Sequence, residues 1–250
     1  MRAPDDRARP DRVLSVRQRI VIVLCLAMAA VGLWASPAAA IDASATFYTV
    51  KWPSGSRPVV YFDDGSPDPK GKATPGFPHL ETWRFRMDNA IAEVNKWGTA
   101  TSPVLSRATG SSSYGKFGKY FEPCNLSRTG VFFYASLAAQ GNPAGATWKC
   151  ALYPPEHPLV TKFGVVFNSN LSFYSGTGTA PADKWDLWST ATHELVHATG
   201  WTGHWDLDGF AGLCSGARGD DPTMCSWQLA GETHARTLEF DDIDTLQGAY

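Results

Sequence analysis

Half of the six histidines in this chain lie within twelve residues, and their spacing strongly restricts the local structure. The segment from His193 to His204 reads His-Glu-Leu-Val-His-Ala-Thr-Gly-Trp-Thr-Gly-His. On an α-helix, His193 and His197 would lie one turn apart on the same face, so both imidazoles could reach a single zinc ion. Glu194 would lie beside them without being a ligand and could serve as a general base. The segment therefore predicts a metal-binding helix.

Gly200 predicts the end of this helix, because glycine readily adopts the left-handed conformation of a helix C-terminus. A chain that turns back there can bring a third ligand to the same metal ion. We take His204 as that ligand, and the sequence leaves Asp206 and Asp208 open as alternatives. The short run from Asp206 to Gly209 is interpreted as a turn rather than as a calcium site.

The first forty residues have the layout of a secretory signal. Six arginines precede residue 20, an almost wholly apolar stretch follows, and Ser36 to Ala40 supplies small residues for a cleavage site. We therefore expect residues 1–40 to be a signal peptide and residues 41–250 to form one secreted, extracellular domain. No stable membrane association is expected after cleavage. An uncleaved signal that acts as a membrane anchor is the alternative.

Four cysteines follow residue 40: Cys124, Cys150, Cys214 and Cys225. An even number of cysteines in an exported chain predicts disulfides. Proximity in the sequence favours pairing Cys124 with Cys150 and Cys214 with Cys225, and the other pairings stay open. A zinc site made of four thiolates is the competing interpretation, but the sequence contains no C-x-x-C pair to support it.

Composition and charge narrow the class of protein. The chain is 44% hydrophobic and 18% charged, which is typical of globular proteins rather than of disordered or polytopic membrane proteins. A formal net charge of −2 argues against a protein that depends on broad contacts with phosphate groups. Nucleic acid is therefore not an expected partner.

Hydrophobic periodicity predicts both helices and strands. The expected helices are Leu80–Trp97, Asp183–Thr199 and Phe240–Gln247. Five short runs rich in β-branched and aromatic residues are the expected strands: Val59–Phe62, Val104–Arg107, Val131–Tyr134, Thr147–Leu152 and Val165–Asn168. The Gly- and Ser-rich region Ala108–Gly118 is expected to be an exposed loop. This order of elements indicates an α+β protein.

The histidine segment resembles the zinc-binding consensus of the metzincin metallopeptidases, H-E-x-x-H-x-x-G-x-x-H. Four positions match it: His193, Glu194, His197 and Gly200. Position 203 is Gly, and the third histidine stands one residue later, at 204. The run Pro222-Thr223-Met224-Cys225 is similar to the methionine turn that lies beneath the metal in this family.

Within that clan the chain most resembles the matrixins, because Arg236-Thr237-Leu238 and Asp241-Asp242-Ile243 are similar to the start of their terminal helix. The resemblance implies a metzincin-like α+β fold. Such a fold has a twisted, mostly parallel five-stranded sheet with two long helices, then a small C-terminal lobe with a terminal helix. Thr147–Leu152 would be its substrate-binding edge strand. The expected substrate contacts are Trp148, Ser226 and Trp227.

The resemblance also implies an activity, that of a secreted, monomeric zinc endopeptidase with one catalytic zinc ion. Glu194 would be the general base for a metal-activated water that attacks a peptide bond of a protein or peptide substrate. A second, structural zinc is not expected, because only His157 is available in the strand region. Latency through a propeptide thiolate is not expected either, because the mature chain has no cysteine before Cys124. The alternatives are a secreted zinc-containing binding protein, an inactive relative of the peptidases, and a hydrolase of non-peptide amides.

Overall fold

The structure is a computed structural model. It describes residues 48, 50–63, 80–112, 130–141, 143–152, 158–207, 214, 221–226 and 228–250. The chain divides into two compact units, Met1–Ala39 and Ala40–Tyr250, and the first of them, where the signal peptide is predicted, lies outside the described residues. None of the helices in the described ranges is long and apolar enough to cross a membrane.

Five strands form the larger sheet: β1 (Val59–Asp63), β2 (Ser106–Ser112), β3 (Gly130–Ala135), β4 (Gly145–Leu152) and β5 (Leu159–Asn168). Their order across the sheet is β2-β1-β3-β5-β4, so that β4 lies at one edge. The pairs β1–β2, β1–β3 and β3–β5 are parallel, whereas β4 runs antiparallel to β5. Two further strands, β6 (Phe173–Tyr174) and β7 (Trp185–Asp186), form a short parallel pair.

Within the described ranges, three α-helices accompany the strands: α1 (Leu80–Trp97), α2 (Leu187–Ala198) and α3 (Phe240–Ala249). Helix α2 contacts β4 and β5 of the sheet, and it also contacts α1 and the short 3-10 segment His234–Arg236. Every residue of α2 except Trp188 is buried. A helix that is buried on all sides lies inside the core, so the histidines of α2 occupy the interior of the protein.

The predicted α+β class is confirmed, and α1 has its predicted bounds. Helix α2 begins at Leu187 rather than at Asp183, so the predicted start is wrong by four residues. The reason is local: Asp186 is the N-cap, and its carboxylate accepts a hydrogen bond from the backbone N–H of Ser189 at 2.9 Å. The residues before this cap contribute the short strand β7 instead.

Strand β2 also departs from the prediction. It spans Ser106–Ser112 rather than Val104–Arg107, so the prediction of a loop from Ala108 is wrong for the first residues of that region. Pairing with β1 decides the outcome, since Val59 lies opposite Ser106 and Asp63 lies opposite Ser112. Backbone hydrogen bonds to a neighbouring strand outweigh the low strand propensity of Gly and Ser.

A buried ion pair joins the N-terminus of α2 to the C-terminal part of the chain. Arg236 donates to the two carboxylate oxygens of Asp186, from Nε at 2.9 Å and from Nη2 at 2.7 Å. The side chains of Arg236 and Asp186 are only 12% and 1% exposed. The same guanidinium donates to the backbone carbonyls of Gly176, Thr177 and Gly178. Arg236 therefore connects residues 176–178 to the N-cap of α2.

We predict that Arg236→Met lowers the free energy of unfolding by about 3–5 kcal/mol, because it leaves the charge of Asp186 buried without its partner. Urea titration would measure this change. The matched control is Arg107→Met, because Arg107 and its partner Asp88 are 31% and 40% exposed and should contribute only about 0–1 kcal/mol. An equal loss in both variants would contradict the structural role of Arg236.

Candidate metal centre

The imidazole rings of His193, His197 and His204 converge on one point. Nε2 of His204 lies 3.2 Å from Nε2 of His193 and 3.2 Å from Nε2 of His197. One ligand atom from each residue lies within 4.8 Å of the other two. Two nitrogens bound to one tetrahedral zinc ion at its usual bond length would lie about 3.3–3.4 Å apart. The three histidines therefore form a group that could hold one metal ion.

Backbone carbonyl groups fix the orientation of two of these rings. Nδ1 of His193 donates to the carbonyl oxygen of Thr223 at 2.7 Å, and Nδ1 of His197 donates to that of Trp201 at 3.0 Å. Because a carbonyl oxygen can only accept, each ring carries its proton on Nδ1 and presents the lone pair of Nε2 to the shared point. A hydrogen bond of this kind on the second ring nitrogen is typical of metal-binding histidines.

Burial keeps the rings of α2 neutral. It lowers the pKa of His193 to about 3, and the nearby His204 adds to this effect. It also lowers the pKa of His197 well below the ordinary value, with further contributions from His193 and Lys149. Neutral imidazole is the form that binds a metal, so the lone pairs are available at neutral pH without the release of protons.

The end of α2 allows the chain to return to the site. Thr199 is the C-cap, and Gly200 follows with a φ of +126°. A Cβ at Gly200 would also lie 2.5 Å from the carbonyl oxygen of Val50, so glycine is required there for two reasons. The turn brings His204 back to the histidines of α2.

The segment around Met224 supports the metal centre from the C-terminal side. Met224 is fully buried, and its carbonyl oxygen accepts a hydrogen bond from the backbone N–H of Trp205 at 3.2 Å. The preceding residue, Thr223, supplies the carbonyl that orients His193. Met224 therefore holds Trp205, the residue after His204, and Thr223 orients the ring of His193.

One carboxylate of α3 fixes this arrangement. Asp242 is fully buried and accepts hydrogen bonds from the backbone N–H groups of Thr223 and Met224 and from the indole N–H of Trp205. Its Oδ2 also accepts from the backbone N–H of Glu239, within the capping box of α3. Burial raises the pKa of Asp242 to about 6, and its hydrogen bonds act in the opposite direction. The terminal helix is thereby joined to Trp205, which follows His204, and to Thr223, which orients His193.

A disulfide joins Cys214 to Cys225, which confirms one of the two favoured pairings. It connects the part of the chain after His204 to the residue that follows Met224. Cys150 is disulfide-bonded as well. Its predicted partner, Cys124, lies outside the described residues.

Glu194 lies next to His193 in the chain and is only 5% exposed. Its Oε2 accepts a hydrogen bond from the hydroxyl of Thr147 at 2.7 Å. Burial raises the pKa of Glu194 to about 7, while the Thr147 hydrogen bond and the positive charge of Lys149 act in the opposite direction. A carboxyl group with a pKa near neutrality can both accept and release a proton at physiological pH.

Lys149 links β4 to the C-terminal end of α2. Its ammonium group donates to the carbonyl oxygen of His197 at 3.2 Å and to that of Trp201. A positive charge is favourable near the C-terminus of a helix, where the carbonyl groups point outward. Burial lowers the pKa of Lys149 to about 8, and the nearby charge of Glu194 opposes this shift.

A cavity of about 580 Å³ opens at the three histidines and Glu194. Its other lining residues are Gln140, Pro143, Ala144, Gly145, Ala146, Thr147, Lys149, Trp185, Thr190, Thr202, Ser226 and Gln228. The arrangement therefore combines a possible metal ion, a buried carboxylate and room for part of a substrate.

The predicted substrate contacts have different positions relative to this cavity. Ser226 lines it, whereas Trp148 does not line it, although its neighbours Thr147 and Lys149 do. Successive residues of a strand point to opposite faces, so Thr147 and Lys149 share a face of β4 that Trp148 does not. Trp227 lies outside the described residues.

The alternative third ligands are not part of the histidine group. The carboxylate oxygens of Asp206 accept hydrogen bonds from Ser226, one from its backbone N–H at 2.7 Å and one from its hydroxyl. The group that could hold a metal ion, within the described ranges, consists of the three histidines alone. Asp208 lies outside those ranges.

Sequence reasoning missed two polar residues of the site, Thr147 and Lys149. Both belong to the expected edge strand, but the sequence predicts the bulky Trp148 between them as the contact residue. The period of two in a strand is the signal that could have found them, because it places Thr147 and Lys149 on one face. Which face meets α2 depends on tertiary packing.

No family model matches this chain, and none of the curated proteins is significantly similar to it.

We predict that His204→Ala weakens zinc binding by at least about 100-fold, since even changes to residues that orient a ligand cost about 10–100-fold. Competition with a chelator of known affinity would measure the dissociation constant. His234→Ala, which lies outside the histidine group, is the matched control and should bind zinc as the unaltered protein does. If Asp206→Asn weakens binding as much as His204→Ala does, the ligand assignment is wrong.

Proposed function

We propose that this protein is a secreted zinc endopeptidase of the metzincin type. The observation that carries the proposal is the convergence of three imidazole Nε2 atoms beside a buried carboxylate and at the wall of a cavity of about 580 Å³. Catalytic zinc sites typically have three protein ligands and keep a further position open, whereas structural sites have four protein ligands. Three histidines with no fourth protein ligand in the described group favour a catalytic site.

The residues present fit the chemistry of peptide hydrolysis. A zinc ion held by His193, His197 and His204 would supply Lewis acidity, which activates water near neutral pH and polarises the carbonyl group of a substrate. Glu194 accepts a proton from the attacking water and delivers it to the nitrogen of the departing amine. The raised pKa of Glu194 suits both transfers, because a group with a pKa near the working pH can take up and release the same proton.

An extended peptide is the proposed substrate. Strand β4 lies at the edge of the sheet, and four of its residues line the cavity beside the histidines. An exposed sheet edge can bind an extended chain through backbone hydrogen bonds, while nearby pockets select its side chains. Ser226 and Trp227 are the proposed walls of such a pocket, and Trp148 is a proposed contact along the strand.

The matrixin-like assignment draws on the sequence motifs and on the contacts around them. In its support, Gly200 adopts a left-handed conformation at the end of α2, and the segment with the buried Met224 orients a histidine. The Cys214–Cys225 disulfide supports secretion, since disulfides persist mainly in oxidising compartments. We further propose that the mature protein is a monomer with one zinc ion.

We predict that Glu194→Gln lowers the rate of zinc-dependent peptide cleavage by about 10²–10⁴-fold, because the amide cannot accept the proton of the attacking water. The dissociation constant for zinc should be unchanged, since Glu194 is not one of the three ligands. Cleavage of a mixed peptide library, followed by mass spectrometry, would measure the rate.

The same experiment separates the proposed function from its alternatives. Cleavage that survives Glu194→Gln would contradict the proposed mechanism. Tight zinc binding without cleavage of any peptide by the unaltered protein would favour a zinc-containing binding protein, an inactive relative or a hydrolase of non-peptide amides.

A further inference from the structure

The edge strand β4 contacts the proposed general base directly, through two residues on one face. A methyl group at Gly145 would lie 2.8 Å from both Cγ and Oε1 of Glu194, which is closer than Cβ atoms approach other atoms in real proteins. The hydroxyl of Thr147 lies 2.7 Å from Oε2 of Glu194. We refer to Gly145 and Thr147 together as the β4 socket.

The two residues of the β4 socket act on Glu194 in complementary ways. Gly145 leaves room for the side chain, because any larger residue would occupy the space of its Cγ and Oε1 atoms. Thr147 restricts that side chain, since its hydroxyl lies within hydrogen-bond distance of both Oε2 and the backbone oxygen of Glu194, the latter at 3.0 Å. Glu194 is 5% exposed, so little water is available to compete for this contact.

We propose that the β4 socket positions the carboxylate of Glu194 for proton transfer, with Thr147 as a positioning residue and Gly145 as the residue that makes room. This inference rests on the proposed function, in which β4 also binds the substrate. A general base must lie within hydrogen-bond reach of the proton that it takes. Misplacement of a catalytic group by about 1 Å can lower a rate by about 100-fold, so a small change in β4 should be visible in the rate.

Two substitutions at Thr147 distinguish the effect of its hydroxyl on kcat from the effect of its methyl group. Thr147→Val keeps the shape of the side chain but removes the donor, and it should lower kcat for peptide cleavage by about 10–100-fold. KM should change much less than kcat, because the substrate is proposed to bind β4 through backbone hydrogen bonds, which this substitution retains. The zinc dissociation constant should be unchanged, because Thr147 is not one of the three histidines. Thr147→Ser retains the hydroxyl and should restore most of the lost kcat.

Gly145→Ala tests the other residue of the β4 socket. This test does not depend on whether Thr147→Val folds. Gly145→Ala should also lower kcat without weakening zinc binding, because the new methyl group displaces Glu194. Thr161→Val is the matched control: Thr161 lies on β5 and donates to the backbone carbonyl of Cys150 on β4, but none of the described hydrogen bonds joins it to Glu194. Its kcat should equal that of the unaltered protein.

A second measurement separates this inference from the proposed function. The ¹³C resonance of the Glu194 side-chain carboxyl can be assigned by its loss in Glu194→Gln. Its chemical shift should change in Thr147→Val and Gly145→Ala, whereas in Thr147→Ser it should stay close to that of the unaltered protein. If the unaltered protein cleaves no peptide, the proposed function fails while this resonance still tests the contact. An unshifted resonance in Thr147→Val and Gly145→Ala, or equal loss of kcat in the Val and Ser variants of Thr147, would overturn the role of the β4 socket.

Discussion

Two hydrogen bonds from imidazole N–H groups to backbone carbonyls determine what this site can do. They join Nδ1 of His193 to Thr223 and Nδ1 of His197 to Trp201. Each bond places the ring proton away from the shared point and leaves a lone pair directed toward it. Without them, the two buried imidazoles of α2 would have no defined tautomer, and their Nε2 lone pairs would not be directed toward Nε2 of His204, which lies 3.2 Å from each.

Different parts of the fold supply these two carbonyls. Thr223 is held by Asp242 of α3, which also binds Trp205 next to the third histidine. Trp201 follows the left-handed turn at Gly200, and its carbonyl also accepts from Lys149 of β4. The histidines of α2 are therefore oriented by two different parts of the fold: the segment that Asp242 of the terminal helix holds, and the turn that Lys149 of the edge strand contacts.

The local parts of the site could be predicted from the sequence, because they depend on residues close together in the chain. The spacing of His193 and His197 on one helical face and the helix end at Gly200 follow from backbone geometry. The contacts of Thr147, Lys149 and Asp242 could not be predicted in this way, since each joins elements distant in sequence. Likewise the bounds of β2 depend on pairing with β1, which no local propensity reveals.

X-ray absorption spectroscopy of the zinc-loaded protein tests the proposed coordination by three histidines, because it reports the identity and the distance of the atoms bound to the metal. We predict one zinc ion per chain, with three imidazole nitrogens at about 2.0–2.1 Å and one further light atom. The same spectrum from Glu194→Gln should retain all three imidazoles. A site with fewer than three imidazoles, with sulfur ligands, or with no bound zinc would contradict the proposed metal site.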